Sequence, residues 1–405
     1  MLCQFTFSNY RSYRDEATLS MQASSIKELS HSLLACGDNQ SFLPVAAIYG
    51  PNAGGKSNLL DALGYVQSAV SRPIYALMSD REAPEGSMAR LSRCSPFAFD
   101  AVHADMPSDF EVYYRVEEYE YRYALSVSAS KIVSEGLWRR KLGASRAAML
   151  FEREEERVEL GPSLRRTGVS VNFNSTIPYL SFLYMNSDLE VVHQAASWFL
   201  DCVFLNYNSF YLERVLEEML REEDSQEISR FLKAVDVHVD GFRVEVDDER
   251  HQHRVYVKHV VGGAEYELRF SEESAGTQKL MGLASVLLSA LENGGAVIVD
   301  ELDAKLHPKL LRYVILLFKN PEVNKGGAQL IFTSQDVSTM RNDVFRRDEI
   351  WFAARDEGEA SQLWSLSDLH EPNGNLVSKN AAFDKQYLSG RYGADPYLTR
   401  IEEWE

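Results

Sequence analysis

The segment Gly50-Pro51-Asn52-Ala53-Gly54-Gly55-Lys56-Ser57 constrains this chain more than any other. Its spacing, G-x-x-x-x-G-K-S, is that of a phosphate-binding loop, and its context agrees. The apolar run Val45–Tyr49 precedes it and stops at Gly50, as a buried strand feeding a loop does. Behind it, Leu59, Leu60, Leu63, Val66 and Val70 recur at helical spacing, so a helix is predicted from Ser57 onward. Each residue type has a chemical task. Glycines let the backbone turn its N–H groups inward toward phosphate oxygens. Lys56 sets a positive charge at the β- and γ-phosphates, and the Ser57 hydroxyl is the Mg²⁺ ligand. The helix N-terminus behind the loop favours the anion further. The expected ligands are therefore ATP and Mg²⁺, cradled by Asn52, Ala53, Gly54, Gly55, Lys56 and Ser57.

A second apolar run, Ala296–Val299, ends in Asp300-Glu301. Such endings are common, but after a phosphate-binding loop this one reads as the strand that carries Asp300 to the Mg²⁺ water shell. Glu301 is then placed to polarise an attacking water. Ahead of it, Ser274-Ala275-Gly276-Thr277-Gln278 opens an amphipathic helix predicted over 271–291, with Leu280, Leu283, Leu287, Leu288 and Leu291 on one face. Standing alone, Ser274 is an ordinary N-cap. A serine hydroxyl and a glycine N–H at a helix start also make an anion site.

The remaining pattern sets the organisation. Residues 2–8 read as a strand with Phe5 and Phe7 on one face, and a second short strand falls near Ala17–Met21. Residues 75–93 read as a surface connection. From Pro96 to about Leu160 the chain is β-rich, with Phe110–Tyr114 and Tyr119–Val127 near period two. Phe151–Val158 reads as a hairpin whose charges form a solvated face. Residues 177–235 turn helical, with Leu212, Val215, Leu216, Met219 and Leu220 on one stripe. Phe242–Val246, Arg254–Val261 and Leu330–Thr333 follow as strands. Heptads are not sustained, which excludes a long coiled coil. The prediction is an α/β head built from 1–75 and 262–405, with an inserted β-rich and then helical region over 76–261.

Charge and composition exclude several classes. The net charge of −18 disfavours autonomous capture of nucleic acid, though it leaves room for a local basic groove. The four cysteines are scattered, with no CxxC pair, which argues against structural zinc and fits a reducing, cytoplasmic setting. The start lacks a basic stretch followed by an apolar one, and no long apolar run reads as a membrane span. His251 and His253 share a strand face, with His259 further on. Lacking an obvious carboxylate or cysteine partner, they read as exposed strand histidines rather than a metal site. The acidic clusters Glu154–Glu156 and Asp247-Asp248-Glu249 fall in hairpins, where solvated charge is expected, so the chain is not itself a nuclease. Arg391, between Gly390 and Gly393, reads as a glycine-punctuated helix end or a docking turn.

The order of these motifs resembles that of ABC-type ATPases of the SMC, RecF and OLD group. More narrowly, the chain is similar to the AAA-type ATPases of bacterial abortive-infection and anti-phage operons. The likeness rests on Phe7-Ser8-Asn9-Tyr10-Arg11-Ser12-Tyr13, on Leu302-Asp303-Ala304-Lys305-Leu306-His307-Pro308, on Arg347–Phe352 and on Tyr387–Ala394. It implies an ABC-type P-loop ATPase head working as a head-to-head homodimer or higher even oligomer. In that arrangement Ser274 and Gly276 form a signature motif that completes the partner's site, and Arg11 joins the nucleotide contacts. It also implies a partner effector, nuclease-like and operon-encoded. The alternatives are an ATPase clamping DNA directly and a nucleotide-gated scaffold. Two departures stand out. Gln335 occupies the switch position where the group carries histidine, so it can donate a hydrogen bond to the γ-phosphate but cannot carry a proton. Ala275 stands where glycine is common.

Overall fold

The computed structural model describes residues 1–78, 91–205, 212–213, 216–217, 220, 225–247, 252–371 and 374–394. Two sheets sandwich one long helix. The first sheet has six strands in the order Val203–Leu205, Ala296–Val299, Gln329–Thr333, Val45–Tyr49, Ile350–Arg355 and Ser361–Ser365. Its first five strands are parallel and the last is antiparallel. Val45–Tyr49, Ala296–Val299 and Gln329–Thr333 are buried at every residue, which is why they read as unbroken apolar runs.

Alternate residues of these strands face two different cores. Ala46, Ile48, Ile298 and Ile331 point toward the helix Lys56–Met78 and the second sheet. Ala47, Tyr49, Val299 and Phe332 point toward the helices Ala275–Asn293 and Pro308–Lys319. Leu63 and Val66 of the long helix are 1% and 0% exposed, and each contributes roughly 1.5–3 kcal/mol by leaving water.

The second sheet is antiparallel throughout, in the order Arg157–Leu160, Ala148–Glu154, Lys131–Lys141, Tyr119–Ser128, Ser108–Val116, Leu2–Ser8 and Ala17–Ser20. The strands of 108–160 thus continue the sheet begun by Leu2–Ser8, and Val203–Leu205 enters the parallel sheet. Residues 76–261 contribute to both layers of the head. Leu2–Ser8 pairs on both edges, and its half-buried alternation suits a sheet covered on one face.

A third sheet joins Gly241–Asp247, Gln252–Val261 and Ala264–Arg269. Its last two strands meet at Gly262-Gly263, both at positive φ, as a two-residue hairpin loop requires. Ala264–Arg269 was not foreseen: its sequence does alternate, with Ala264, Tyr266 and Leu268 between charged residues, yet all six residues are exposed. The predicted helical stretch 177–235 resolves, in its described parts, into Tyr179–Asn186, Glu190–Asp201 and Ser225–Ala234, with Val203–Leu205 between them. Leu212 and Leu216 are buried, while Val215 and Met219 lie outside the described residues. Among the described residues, no helix is long and apolar enough to cross a membrane.

One expectation about charge is corrected. Ala148–Glu154 and Arg157–Leu160 do form a hairpin, but Arg153 within it is 2% exposed. Its side chain points inward and donates to the carbonyls of Glu155, Ser175 and Ile177 at 2.7, 2.7 and 2.8 Å. It also pairs with buried Glu135 at 3.3 Å and stacks over Phe173. Period two decides this: Phe151 and Arg153 share the inner face, and the neighbouring glutamates take the outer one.

Candidate functional site

The loop between Tyr49 and Lys56 is shaped by its neighbours as well as by its own sequence. Gly50 sits at φ 148°, and a side chain at Gly50 or Gly54 would collide with the carbonyl of Ala353 on the strand Ile350–Arg355. These glycines let the loop lie flat against an adjacent parallel strand, a constraint that motif spacing does not reveal. Ala53 adopts φ 62°, and it and Asn52 are exposed, facing solvent from the loop.

The Lys56 ammonium donates to the carbonyls of Gly50 and Pro51 at 2.8 and 2.9 Å. Burial pulls its pKa below the usual lysine value, and the charges of Asp300, Glu301 and Asp303 oppose that shift. The acids arrive there because Ala296–Val299 pairs with Gln329–Thr333, which pairs with Val45–Tyr49. Three strand ends therefore meet at one edge of the sheet. Thr333 fixes the acidic pair: its hydroxyl donates to Asp300 Oδ1 at 2.5 Å and accepts the Glu301 N–H at 2.7 Å. Glu301 itself adopts φ 51°, a left-handed conformation unusual for its type. Gln335 Nε2 donates to Glu301 Oε1 at 3.4 Å. The backbone N–H groups of Gln335 and Asp336 both donate to Asp303 Oδ2, at 3.2 and 3.1 Å.

Ser57, Asp300 and Glu301 line one cleft of about 810 Å³, together with Arg11, Asp61, Tyr65 and Arg72. Arg11 reaches it from a turn at φ 51°, pairs with Asp61 and donates to Asn58 Oδ1 at 3.4 Å. Burial pushes the Asp61 carboxyl up, and Arg11 counters that. Two more residues of the N-terminal turn brace the loop. Ser12 accepts from Asn58 Nδ2 at 2.7 Å, and the Tyr13 hydroxyl donates to the Gly55 carbonyl at 3.3 Å.

The residues lining this cleft do not include Ser274 or Gly276. Ser274 caps the helix Ala275–Asn293, its hydroxyl accepting the Thr277 N–H at 3.1 Å, and a Cβ at Gly276 would lie 3.6 Å from the Lys305 carbonyl oxygen. The helix begins at Ala275, where the Ser274 opening put it, after a 3₁₀ turn at Phe270–Glu272. It is tied to the acidic segment through Lys279, which sequence reasoning missed. The buried Lys279 ammonium donates to the carbonyls of Glu301 at 3.2 Å, Leu302 at 2.8 Å and Ala304. Burial pushes its pKa down to about 7, against the attraction of Asp303. Asp303 stood within the stretch Leu302–Pro308 that carries the family likeness, but its contact with the Gln335 and Asp336 N–H groups, like those of Thr333 and Lys279, is tertiary and not readable from sequence.

The histidines separate. The side chains of His251 and His253 lie outside the described residues. His259, expected to be exposed and unpartnered, is instead partly buried, with its Nε2 2.6 Å from Glu273 Oε1. The hairpin brings Glu273 back to it, which local sequence could not show. Among the described residues, no three His, Cys, Asp or Glu side chains gather as a metal site. Arg391 follows Gly390, at φ 76°, just past the helix Phe383–Leu388, as a glycine-terminated helix end would have it. Asp248 and Glu249 lie outside the described residues.

Similarity searches add a family. A comparison with curated proteins finds no match. Among solved structures, the chain is similar to the SMC head domain from Thermotoga maritima, at 13% identity and a TM-score of 0.40, covering 90% of this chain and 98% of that one. It is similar at 13% identity and a TM-score of 0.42 to the Smc head domain with an extended coiled coil bound to the C-terminal domain of ScpA derived from Pyrococcus furiosus, covering 90% of this chain and 96% of that one. Residues 45–341 match a family described as "AAA domain, putative AbiEii toxin, Type IV TA system". That match runs from the strand before the phosphate-binding loop to just past Gln335 and covers most of the chain, which therefore belongs to this AAA-domain family.

Proposed function

We propose that this protein binds ATP with Mg²⁺ and hydrolyses it, and that a second copy completes the site. The observation that carries the reading is the convergence of Lys56, Ser57, Asp300, Glu301 and Gln335 at the ends of three neighbouring parallel strands. The donor set fits the ion: a serine hydroxyl and a carboxylate are hard oxygen ligands, and Mg²⁺ keeps several waters beside one or two such groups. When bound, Mg²⁺ neutralises charge developing on the phosphate oxygens. Lys56 leaves the loop carbonyls to bind phosphate oxygens, and the loop N–H groups orient them. Glu301, held at its backbone by Thr333, accepts the proton of the attacking water. Gln335 holds the Glu301 carboxylate by one hydrogen bond without exchanging a proton.

Ser274 is not among the residues lining its own cleft, and in this reading its hydroxyl and the neighbouring N–H groups serve a partner's nucleotide. The finer biological role is control of a partner effector in bacterial anti-phage defence. The family's description as a toxin of a Type IV TA system supports it. The net charge of −18 speaks against the chain clamping DNA by itself. DNA-stimulated turnover would favour that alternative.

Two outcomes test the proposal. Lys56→Ala is expected to weaken ATP binding at least roughly tenfold, about 1.4 kcal/mol, because a charge leaves the phosphates. Unchanged affinity by calorimetry rejects the loop as the nucleotide site. Ser274→Arg is expected to bind ATP normally and not turn it over. Mixed with Lys56→Ala, it regains one working site per dimer, since one intact loop then meets one intact Ser274 turn. Normal turnover by the Ser274→Arg protein as a monomer rejects the shared site.

A further inference from the structure

The third sheet carries Val255, Val257 and His259 on one face of the strand Gln252–Val261, by simple alternation. Val255 and Val257 are fully buried in the core formed with Ile228, Leu232 and Phe270. Two residues on, that face passes the edge of the core, and His259 meets the turn that leads into Ser274. Its Nδ1 lies 2.9 Å from the carbonyl oxygen of His238, and its Nε2 lies 2.6 Å from Glu273 Oε1. A backbone carbonyl and a carboxylate are both acceptors. Neutral imidazole has one N–H and satisfies only one of them, whereas imidazolium donates to both.

Glu273 directly precedes Ser274. Its backbone is already held: the carbonyl accepts from Gln278 Nε2 at 2.9 Å, and the N–H donates to Phe270 O at 3.2 Å. His259 clamps the side chain as well. The turn that places the Ser274 hydroxyl is therefore fixed from its own helix and from the third sheet together.

Charged groups surround the ring on each element packed against it. Glu273 faces it from the turn. Asp240 faces it from the loop before Gly241–Asp247, accepting from the Val260 N–H at 2.7 Å and from Lys233 of the helix Ser225–Ala234 at 2.6 Å. That Lys233 hydrogen bond, with help from His259, holds Asp240 below the usual carboxylate range. Tyr266 stands opposite His259 on the last strand, and His238 supplies its carbonyl. Lys258, Glu267 and Arg243 pair on the opposite face.

We infer that His259, bonded at both ring nitrogens, is the positioning residue for the Ser274 turn, so that hydrolysis at the partner's nucleotide depends on it. This rests on the proposed role of Ser274. Replacing His259 frees Glu273 and the His238 carbonyl and loosens the turn. Turnover should therefore fall while ATP affinity stays.

The test compares steady-state turnover, ATP affinity and thermal melting of the full-length wild type, His259→Gln and Glu273→Gln. Both variants are expected to bind ATP like the wild type. Both should turn it over roughly tenfold more slowly, the worth of about one charge-assisted hydrogen bond. Because Ser274 acts on the partner, His259→Gln mixed with Lys56→Ala should recover a working site. There the His259→Gln subunit supplies the loop and the Lys56→Ala subunit supplies an intact turn. Turnover unchanged in both variants overturns the inference, as does a slow mixed dimer. Should His259→Gln melt early, Glu273→Gln carries the same comparison. If Ser274→Arg hydrolyses ATP normally, the shared-site reading has failed and this inference with it. If Ser274→Arg is inactive while both clamp variants behave like the wild type, only the clamp has failed.

Discussion

Replacing Glu301 by Gln is expected to lower ATP turnover roughly 10²–10⁴-fold while leaving ATP binding intact. The substitution keeps the side chain's shape and removes its capacity to take a proton. The surroundings are able to tolerate it. The Glu301 backbone is fixed by the Thr333 hydroxyl, and an amide oxygen at position 301 still accepts from Gln335. Asp300 keeps its own bond to Thr333, so the neighbouring carboxylate is undisturbed. Single-turnover measurements should show nucleotide bound and not cleaved, and light scattering should show the closed dimer accumulating. Wild-type turnover in this variant means that another group is the base. Gln335 is a poor candidate, since an amide does not titrate.

The second large effect concerns stability. Arg153→Leu should destabilise the protein by about 3–5 kcal/mol, because it leaves the fully buried Glu135 without its cation. Glu135 cannot simply swing away. It accepts from the N–H groups of Tyr179 and Leu180 at 2.6 and 3.0 Å and from the Tyr123 hydroxyl at 3.1 Å, which pins the start of the helix Tyr179–Asn186 to the sheet. Burial already pushes the Glu135 carboxyl above the usual range, with Arg153 as the main opposing influence. Removing Arg153 raises it further. A folded-state carboxyl raised above its unfolded value binds protons that the unfolded chain does not, so stability falls as pH rises through that interval. The loss should therefore be largest at neutral pH and shrink under mild acid, as read from denaturation midpoints. A loss below about 1 kcal/mol at neutral pH rejects the account, since it would be no more than an exposed ion pair contributes.

The parts of this fold that were legible in sequence share one property: their determinants are local. Val45–Tyr49 and Ala296–Val299 read as strands because they are buried on both faces, and Ser274 read as a helix start because capping needs only the next three residues. Val203–Leu205 is too short to show a period, yet it takes the edge of the parallel sheet beside Ala296–Val299. Ala264–Arg269 alternates apolar and charged residues but is exposed at every position, so its pairing with Gln252–Val261 and not burial of one face places it. Arg153 looked like its exposed neighbours because the sequence does not say which face of a hairpin meets Glu135. At the candidate site, the residues with the required chemistry were visible. The side chains that hold them were not: Thr333 between the two acids, Asp303 under the Gln335 backbone, and Lys279 on three carbonyls all depend on contacts remote in sequence.

The parallel sheet also has a consequence for how the chain is made. Val45–Tyr49 is made well before its two neighbours, Gln329–Thr333 and Ile350–Arg355. Until those arrive, five residues destined for complete burial have no partner on either edge. Pairings this remote are slow to close, and bare apolar strand edges invite association with other chains. The nascent polypeptide therefore passes through a long interval in which the segment leading into the nucleotide loop is its most adhesive part, and the final architecture locks only when the last third of the chain threads in on both sides of it.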